Sequence, residues 1–276
     1  LKLIEIEDGD DQVDALLRHI DAGDRLGRPQ DARGGLEHVY RLQPDVLLVR
    51  DKLWNLYEHI GETRELAAMV VADSLKVDDL EERYTLLLKA GKLYLQSEGG
   101  AGFAVEPLEE ATRIKPDDHD TNLLLIDAYI ASENLQRAQD ILNEKISELG
   151  NRRGPKAADL QSRMGHLAGA IGDTQTQLHW LNVALDSNKR DGHIAAEVAE
   201  LAMAAGDYDS ALKALRVVTV SRRESPMSLA RAFYYQAVIS HHKGEGRQAQ
   251  MWARRALSEQ EDFEEAAEFL RQLEEG

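Results

Sequence analysis

Residues 171–181 read IGDTQTQLHWL and residues 205–215 read AGDYDSALKAL. The two turn glycines in these stretches, Gly172 and Gly206, are 34 residues apart. A glycine can end a helix in the left-handed backbone conformation, which other side chains disfavour. A polar residue after the glycine can then start the next helix. The two stretches therefore predict helix–turn–helix units that recur with a period of about 34 residues.

The same spacing extends along the chain. Gly27 and Gly61 are 34 residues apart, and so are Ala104 and Ala138. Three further stretches resemble the first two, namely residues 26–36 (LGRPQDARGGL), 132–142 (SENLQRAQDIL) and 243–253 (KGEGRQAQMWA). Four of the five stretches have an alanine five residues after the turn residue, at Ala32, Ala138, Ala211 and Ala249. A small side chain at this place lets two helices pack closely, so the pattern predicts helical hairpins.

The composition favours helices throughout. Apolar residues make up 43% of the chain, charged residues 30% and aromatic residues 5%, and there are six prolines in 276 residues. The chain is too apolar for a disordered protein and too poor in β-branched and aromatic runs for a sheet protein. Long stretches are rich in alanine, leucine, glutamate, lysine, arginine and glutamine, which have strong helix propensities. We therefore expect an all-α protein.

These features resemble the tetratricopeptide repeat family. Gly91, with Tyr94 three residues later, fits the small position in the first helix of that family's repeat. Small residues stand at the equivalent places of later repeats, at Gly165, Ala199 and Ala237. The second repeat departs from the pattern, because Trp54 stands at its small position. The resemblance implies a right-handed superhelical solenoid of about seven antiparallel helix hairpins.

The predicted repeats cover residues 13–260, after an acidic leader at residues 1–12 and before a C-terminal capping helix at residues 261–276. Seven turns are predicted, near Gly27, Gly61, Gly100, Glu133, Gly172, Gly206 and Gly244. Three interruptions predict longer loops, at residues 96–103, 150–156 and 221–228. Pro107 predicts a second helix that starts near Glu106 or is kinked. The final segment has one apolar face and one polar face, as the end of a solenoid requires for solubility.

Charge and composition exclude several classes of partner. The chain has 50 acidic and 33 basic side chains and a net charge of −17, so it repels phosphate backbones and anionic membrane surfaces. No apolar run reaches the roughly 18 residues of a membrane-spanning helix. There is no cysteine, which excludes disulfides and thiolate zinc sites. We expect neither a nucleic-acid partner nor direct membrane insertion.

The sequence shows no pattern typical of a catalytic or metal site. His241 and His242 are adjacent, so on a helix they point in different directions, and no HExxH pattern occurs. The stretch with Gly99, Gly100 and Gly102 lacks the lysine and the preceding strand of a phosphate-binding loop. We therefore expect no catalytic residues, no metal, no cofactor and no enzymatic activity.

The resemblance implies that first helices form an inner, concave surface that holds a protein or peptide. Nine residues are predicted on this surface with polar side chains, namely Lys52, Asn55, Lys89, Lys92, Asp127, Arg163, His166, Arg231 and Tyr234. Further positions on it are Asp120, His193, Glu197, Glu200 and His241. The lysines and the asparagine resemble in type the clamp with which some family members hold a terminal carboxylate. The mixed charge suits an extended peptide or a partner helix.

The leading hypothesis for function is a non-catalytic scaffold in the assembly of a multi-protein complex. Two alternatives stay open, a regulatory peptide receptor module of a larger protein and a pilotin-like envelope assembly factor. The chain begins at Leu1 rather than at methionine, so we expect that a preceding segment is missing. The compartment, cytoplasmic or periplasmic, the partner and the oligomeric state are not determined by the sequence.

Overall fold

The computed structural model describes residues 30–43, 46–221 and 225–275, together with position 18. Within these residues the chain forms fourteen helices and no strand. The chain divides into two compact units, Leu1–Ser132 and Glu133–Gly276. The all-α prediction is thus confirmed. The predicted leader at residues 1–12, the first helix of the first repeat and the turn at Gly27 lie outside the described residues.

The first unit contains six described helices. They are α1 (Gln30–Leu42), α2 (Leu47–Ile60), α3 (Thr63–Ser74), α4 (Leu80–Gln96), α5 (Ala101–Ile114) and α6 (His119–Ala131). Helix α1 takes the place of the second helix of the first predicted repeat. The pairs α2–α3 and α4–α5 are the second and third repeats, and α6 is the first helix of the fourth.

The second unit contains eight described helices. They are α7 (Leu135–Leu149), α8 (Pro155–Ile171), α9 (Thr174–Ser187), α10 (Gly192–Ala205), α11 (Tyr208–Ser221), α12 (Leu229–His242), α13 (Gly246–Glu259) and α14 (Glu264–Glu275). Helix α7 is the second helix of the fourth repeat. The pairs α8–α9, α10–α11 and α12–α13 are the fifth to seventh repeats. A single superhelix through all seven repeats stays a prediction.

The turns lie where the sequence predicts them. Positive φ angles occur at Gly61 (+77°), Gly172 (+87°), Gly206 (+73°) and Gly244 (+76°). The predicted turn at Glu133 also has a positive φ of 61°, although glutamate has a side chain that disfavours it. In the third repeat the left-handed residue is Gly99 rather than the predicted Gly100. The residues between helices there are only 97–100, so the predicted long loop at residues 96–103 is wrong in its extent.

Small side chains let the two helices of a hairpin approach each other. A Cβ atom added at Gly91 of α4 would lie 2.5 Å from Cγ and Cδ2 of Leu108 on α5. One added at Gly165 of α8 would lie 3.0 Å from Cγ of Leu181 on α9. On the second helices, Ala138, Ala211 and Ala249 are fully buried. The small positions read from the sequence are therefore positions of close helix packing.

Each unit has its own apolar core. In the first unit, one cluster joins α1, α2 and α3 through side chains that include Leu36, Val49, Leu53 and Leu66. In the second unit, a larger cluster joins helices from α8 to α12 and is rich in alanine. Burial of such side chains stabilises the repeats by about 1.5 to 3 kcal/mol for each large aliphatic group.

Two local predictions can be compared with the structure. Helix α5 begins at Ala101 and continues through the buried Pro107, so a start near Glu106 is wrong. The predicted C-terminal helix is present as α14, and it packs against α13. Phe263 and Ala266 are buried beside Phe233 and Ala256. The role of α14 as a cap stays a prediction.

Candidate functional site

The first helices of the first unit carry the predicted basic stretch. Lys52 and Asn55 lie on α2, and Lys89 and Lys92 lie on α4. Asn55 and Lys92 are exposed, whereas Lys52 and Lys89 are half-buried. Asp127, which is also half-buried, lies on α6. We call these five residues the α2–α6 face.

Lys89 has a defined partner on this face. Its Nζ atom lies 4.2 Å from the centre of the Trp54 ring on α2. A cation above an indole ring is attracted by the negative face of the ring. Trp54 also packs against the core cluster of the first unit, and its Nε1 atom is buried without an acceptor in the described part of the chain. The structure therefore brings Lys89 to Trp54, a contact that the clamp-like expectation does not include.

Helices α4 and α6 are connected by a buried hydrogen bond between Tyr84 and Thr121, whose hydroxyl oxygens are 2.7 Å apart. Asp118, at the start of α6, accepts hydrogen bonds from the backbone and the hydroxyl group of Thr121. These bonds to its charged form hold the pKa of Asp118 below its usual range. The arrangement fixes the first turn of α6 against α4.

The first helices of the second unit are connected to one another in a row. His166 Nε2 on α8 lies 2.7 Å from Glu197 Oε2 on α10. From the next turn of α10, Glu200 Oε2 accepts a hydrogen bond of 2.5 Å from the Tyr235 hydroxyl on α12. Arg231 on α12 lies 3.5 Å from Glu265 on α14. These three contacts, one at each step between helices, define what we call the α8–α14 face.

Two residues of the α8–α14 face are absent from the predicted set. Tyr235 and Glu265 follow Glu200 and Arg231 by 35 and 34 residues. The 34-residue spacing could have identified Glu265, because equivalent positions of adjacent helices are neighbours in a repeat array. It could not have identified Tyr235, because Gly206 and Gly244 place the sixth and seventh repeats 38 residues apart. Burial and the hydrogen bond to Glu200 raise the pKa of Tyr235 to about 12.

The tandem tyrosines have different surroundings. The predicted residue Tyr234 lies in an aromatic cluster, with its ring centre 5.5 Å from that of Phe263 and 5.9 Å from that of Phe269. Tyr235 makes the hydrogen bond across to α10 instead. Tyr234 thus packs against α14, and Tyr235 connects neighbouring first helices.

The remaining predicted residue is Arg163 on α8, one turn before His166. Its side chain is half-buried, and its Nη1 atom donates to the carbonyl oxygen of Asp159 at 3.5 Å. The predicted residues therefore fall into two sets, five on the first unit and four on the second.

No group of three histidine, aspartate or glutamate side chains in residues 30–43, 46–221 and 225–275 could hold a metal ion. In the same ranges, none of the helices combines the length and the apolar character that crossing a membrane requires.

No family model matches the sequence, and no curated protein matches it. Among solved structures, Pseudomonas aeruginosa pilF superposes with a TM-score of 0.51 and 13% identity, over 81% of this chain and 97% of that chain. PilW, described as a widely conserved type IV pilus biogenesis factor, gives a TM-score of 0.50 and 16% identity, over 83% of this chain and 98% of that chain. A tetratricopeptide repeat protein from Parabacteroides merdae gives 0.48 and 17% identity, over 94% and 98%.

At these identities the likeness concerns the fold alone. Together with the helical hairpins, their turn residues and their small packing positions, the superposition on pilF and PilW confirms the predicted all-α fold of tetratricopeptide-type helical hairpins.

Proposed function

We propose that the chain is a non-catalytic scaffold that binds a partner protein or an extended peptide along the first-helix faces of its repeats. The observation that carries this proposal is the α8–α14 face, where polar side chains of the first helices α8, α10 and α12 and of the C-terminal helix α14 form one row at the protein surface. A helix packed only for stability needs apolar contacts with its neighbours, which the core clusters already supply. The polar row is available for a ligand.

The α2–α6 face supports the same function with different chemistry. Lys89 and Lys92 lie one turn apart on α4 in a chain whose net charge is −17. The alternative is that these lysines only offset the negative charge of neighbouring carboxylates. Exposed ion pairs of this kind contribute about 0.2 to 1 kcal/mol to stability. The two interpretations predict different effects on binding, which an experiment can separate.

The test is a capture experiment with three forms of the intact chain as bait. One bait is the wild type, and the second carries Lys89→Glu and Lys92→Glu. The third is a control with Arg137→Glu and Arg216→Glu, at two exposed arginines on the second helices α7 and α11, so both variants have the same net charge. We expect a partner that the wild type and the control retain and the face variant loses.

Stability is measured on the same three proteins. Removing one side of a desolvated charge pair in an interface costs about 2 to 5 kcal/mol of binding free energy. The face variant should melt slightly below the control, because Lys89→Glu removes the contact with the Trp54 ring, but it should stay folded at the temperature of the capture experiment. If both variants retain every captured partner equally, the α2–α6 face is not part of the binding surface.

A second candidate function is assembly of type IV pili. It is favoured by the superposition on pilF and PilW over 97% and 98% of those chains. The test is deletion of the gene in its own organism, followed by counting of surface pili by electron microscopy. We expect loss of pili and recovery when the chain is supplied again. An unchanged number of pili would exclude this candidate and leave the scaffold proposal standing.

A further inference from the structure

The environment of Arg231 shows which kind of group the α8–α14 face accepts. The guanidinium carbon of Arg231 lies 5.3 Å from the centre of the Phe263 ring and 5.8 Å from that of Tyr235. Its Nη2 atom is 3.5 Å from a carboxylate oxygen of Glu265. Aromatic faces and a carboxylate together suit a planar cation, because guanidinium groups stack on rings and pair with carboxylates.

A second carboxylate on this face, that of Glu200, makes no salt bridge within the described residues. Glu200 is exposed, and its partner in the described part of the chain is the hydroxyl group of Tyr235, which is neutral at pH 7. Glu200 lies in the middle of α10, away from the positive N-terminal end of the helix. Neither a salt bridge in the described ranges nor the helix dipole neutralises its charge, which water solvates.

A cavity of about 370 Å³ lies beside Arg231, between the starts of α12 and α14. It is lined by Ser228, Arg231, Gln260, Asp262, Phe263, Glu264 and Glu265. Three carboxylates and one guanidinium face it, so the local charge is negative, and Phe263 supplies an apolar wall. The carboxylates at the start of α14 also favour the N-terminal end of that helix. That explanation does not extend to Glu200.

We infer that the surface from Glu200 through Tyr235 to this cavity binds an extended, arginine-containing segment of a partner protein. The arginine side chains pair with the carboxylates of Glu200 and Glu265 and lie against the half-buried ring of Tyr235, beside Arg231. Charge complementarity selects the partner, because an acidic chain attracts a cationic segment. This inference rests on the proposed function and names the class of partner for one of its two faces.

Arginine is preferred over lysine for a geometric reason. The guanidinium group is planar, is more weakly hydrated than an ammonium group and presents several donors in one plane. It can lie on an aromatic ring and donate to a carboxylate at the same time. A lysine would retain the charge attraction but would lose most of the stacking contact.

The experiment measures the affinity of fluorescein-labelled peptides for the intact chain by fluorescence anisotropy. Peptides of about eight residues are long enough, since an extended chain gains about 3.3 Å per residue and packed helix axes are about 8 to 10 Å apart. The probes alternate glycine with arginine, with lysine or with glutamate. We expect the arginine peptide to bind about fivefold or more tightly than the lysine peptide. The glutamate peptide should not bind.

Paired variants separate this surface from the general negative charge. Glu200→Gln combined with Glu265→Gln should weaken binding of the arginine peptide by about tenfold or more. The control combines Glu144→Gln with Glu259→Gln, two exposed carboxylates on α7 and α13, and has the same net charge. We expect the control to change the affinity by less than about twofold, because exposed distant charges are screened.

Three results would overturn the inference. They are absence of binding at about millimolar arginine peptide, equal affinity for arginine and lysine peptides, and equal weakening in the two variant pairs. The first two use the wild-type protein, so they hold even where a variant does not fold. If the inference fails while the capture experiment still loses a partner with Lys89→Glu and Lys92→Glu, the scaffold function stands.

Discussion

Both units are built from the same kind of helical hairpin, but their first helices carry different polar side chains at the surface. On the α2–α6 face the characteristic groups are the lysines of α4 and the indole ring of Trp54. On the α8–α14 face they are glutamates paired with a tyrosine, a histidine and an arginine. The packing positions are similar, since Gly91 and Gly165 both face a leucine of the second helix. The repeat frame therefore constrains the packed positions and leaves the first-helix faces free to differ.

The largest expected effect concerns the packed positions. Leu108 of the first unit and Leu215 of the second are fully buried. Leu108→Ala and Leu215→Ala should each lower the free energy of unfolding by about 2 to 5 kcal/mol, since each leaves a cavity. Urea denaturation followed by circular dichroism gives these values. Leu75→Ala, at a side chain that is 69% exposed, is the control. If either leucine substitution lowers the free energy of unfolding as little as Leu75→Ala does, the packed positions of the two units are not equivalent.

The next largest effect is expected at Gly91 and Gly165, the two glycines at which the helices of a hairpin pack closely. A Cβ atom at Gly91 would lie 2.5 Å from Leu108, whereas one at Gly165 would lie 3.0 Å from Leu181. Gly91→Ala should cost about 1 to 3 kcal/mol of overpacking. In Gly165→Ala a smaller strain is offset by the gain in helix propensity of about 1 kcal/mol. Thermal denaturation should therefore order the proteins as wild type and Gly165→Ala above Gly91→Ala. The reverse order would contradict the packing comparison.

A smaller effect comes from the cap of α6 in the first unit. Asp118→Ala should cost about 0.5 to 2 kcal/mol at neutral pH. The native pKa of Asp118 is lowered by its bonds to Thr121, so the stabilisation is present above the unfolded pKa of about 4. It is lost as the pH falls from there through the lower native value. Urea titrations at pH 7 and below pH 4 measure the difference, with the exposed neighbour Asp117→Ala as control. If Asp118→Ala lowers the free energy of unfolding as much below pH 4 as it does at pH 7, the helix cap does not depend on an ionised carboxylate.

The smallest effect concerns the hydrogen bond between Tyr235 and Glu200 in the second unit. Tyr235→Phe should cost about 0.5 to 1 kcal/mol, since the bond is partly exposed. The native pKa of Tyr235 is raised to about 12, so its contribution is fully present below the unfolded pKa of about 10. It is lost as the pH rises through the native value. Guanidinium denaturation at pH 8 should therefore separate wild type from Tyr235→Phe, and a cost of zero there would remove this bond from the stabilising contacts.

The helices and turns can be predicted well from the sequence, because a few residue types determine where they occur. A glycine or another turn residue recurs about every 34 residues, and six of the seven predicted turns fall in or beside described links between helices. Even Glu133, which lacks the freedom of glycine, is identified by its place in the repeat. Pro107 is misleading about the start of α5, because it is the seventh residue of a helix that begins at Ala101. An interior proline removes one backbone hydrogen bond, and here the helix continues past it.

The binding faces are harder to predict, because periodicity gives the face of a helix and not the neighbour that a side chain meets. The place of Lys89 on a binding face stays a prediction, and its contact with Trp54 depends on how α2 lies against α4. The choice between Tyr234 and Tyr235 likewise depends on the contacts with α10 and α14. Comparison of positions one repeat apart would have found Glu265 but not Tyr235, because the sixth and seventh repeats are 38 residues apart.

The central claim is that the first-helix faces bind the partner and the second helices do not. The chain has no cysteine, so single cysteines can be introduced as probes. Lys92→Cys and Glu200→Cys report on the two faces, and the exposed sites Glu106→Cys on α5 and Arg216→Cys on α11 report on second helices. The measurement is the rate of maleimide labelling with and without the captured partner. We predict labelling about tenfold slower or more at one or both face sites and unchanged at the second-helix sites, since an interface excludes solvent and reagent from its centre. Protection confined to Glu106→Cys or Arg216→Cys would contradict the account.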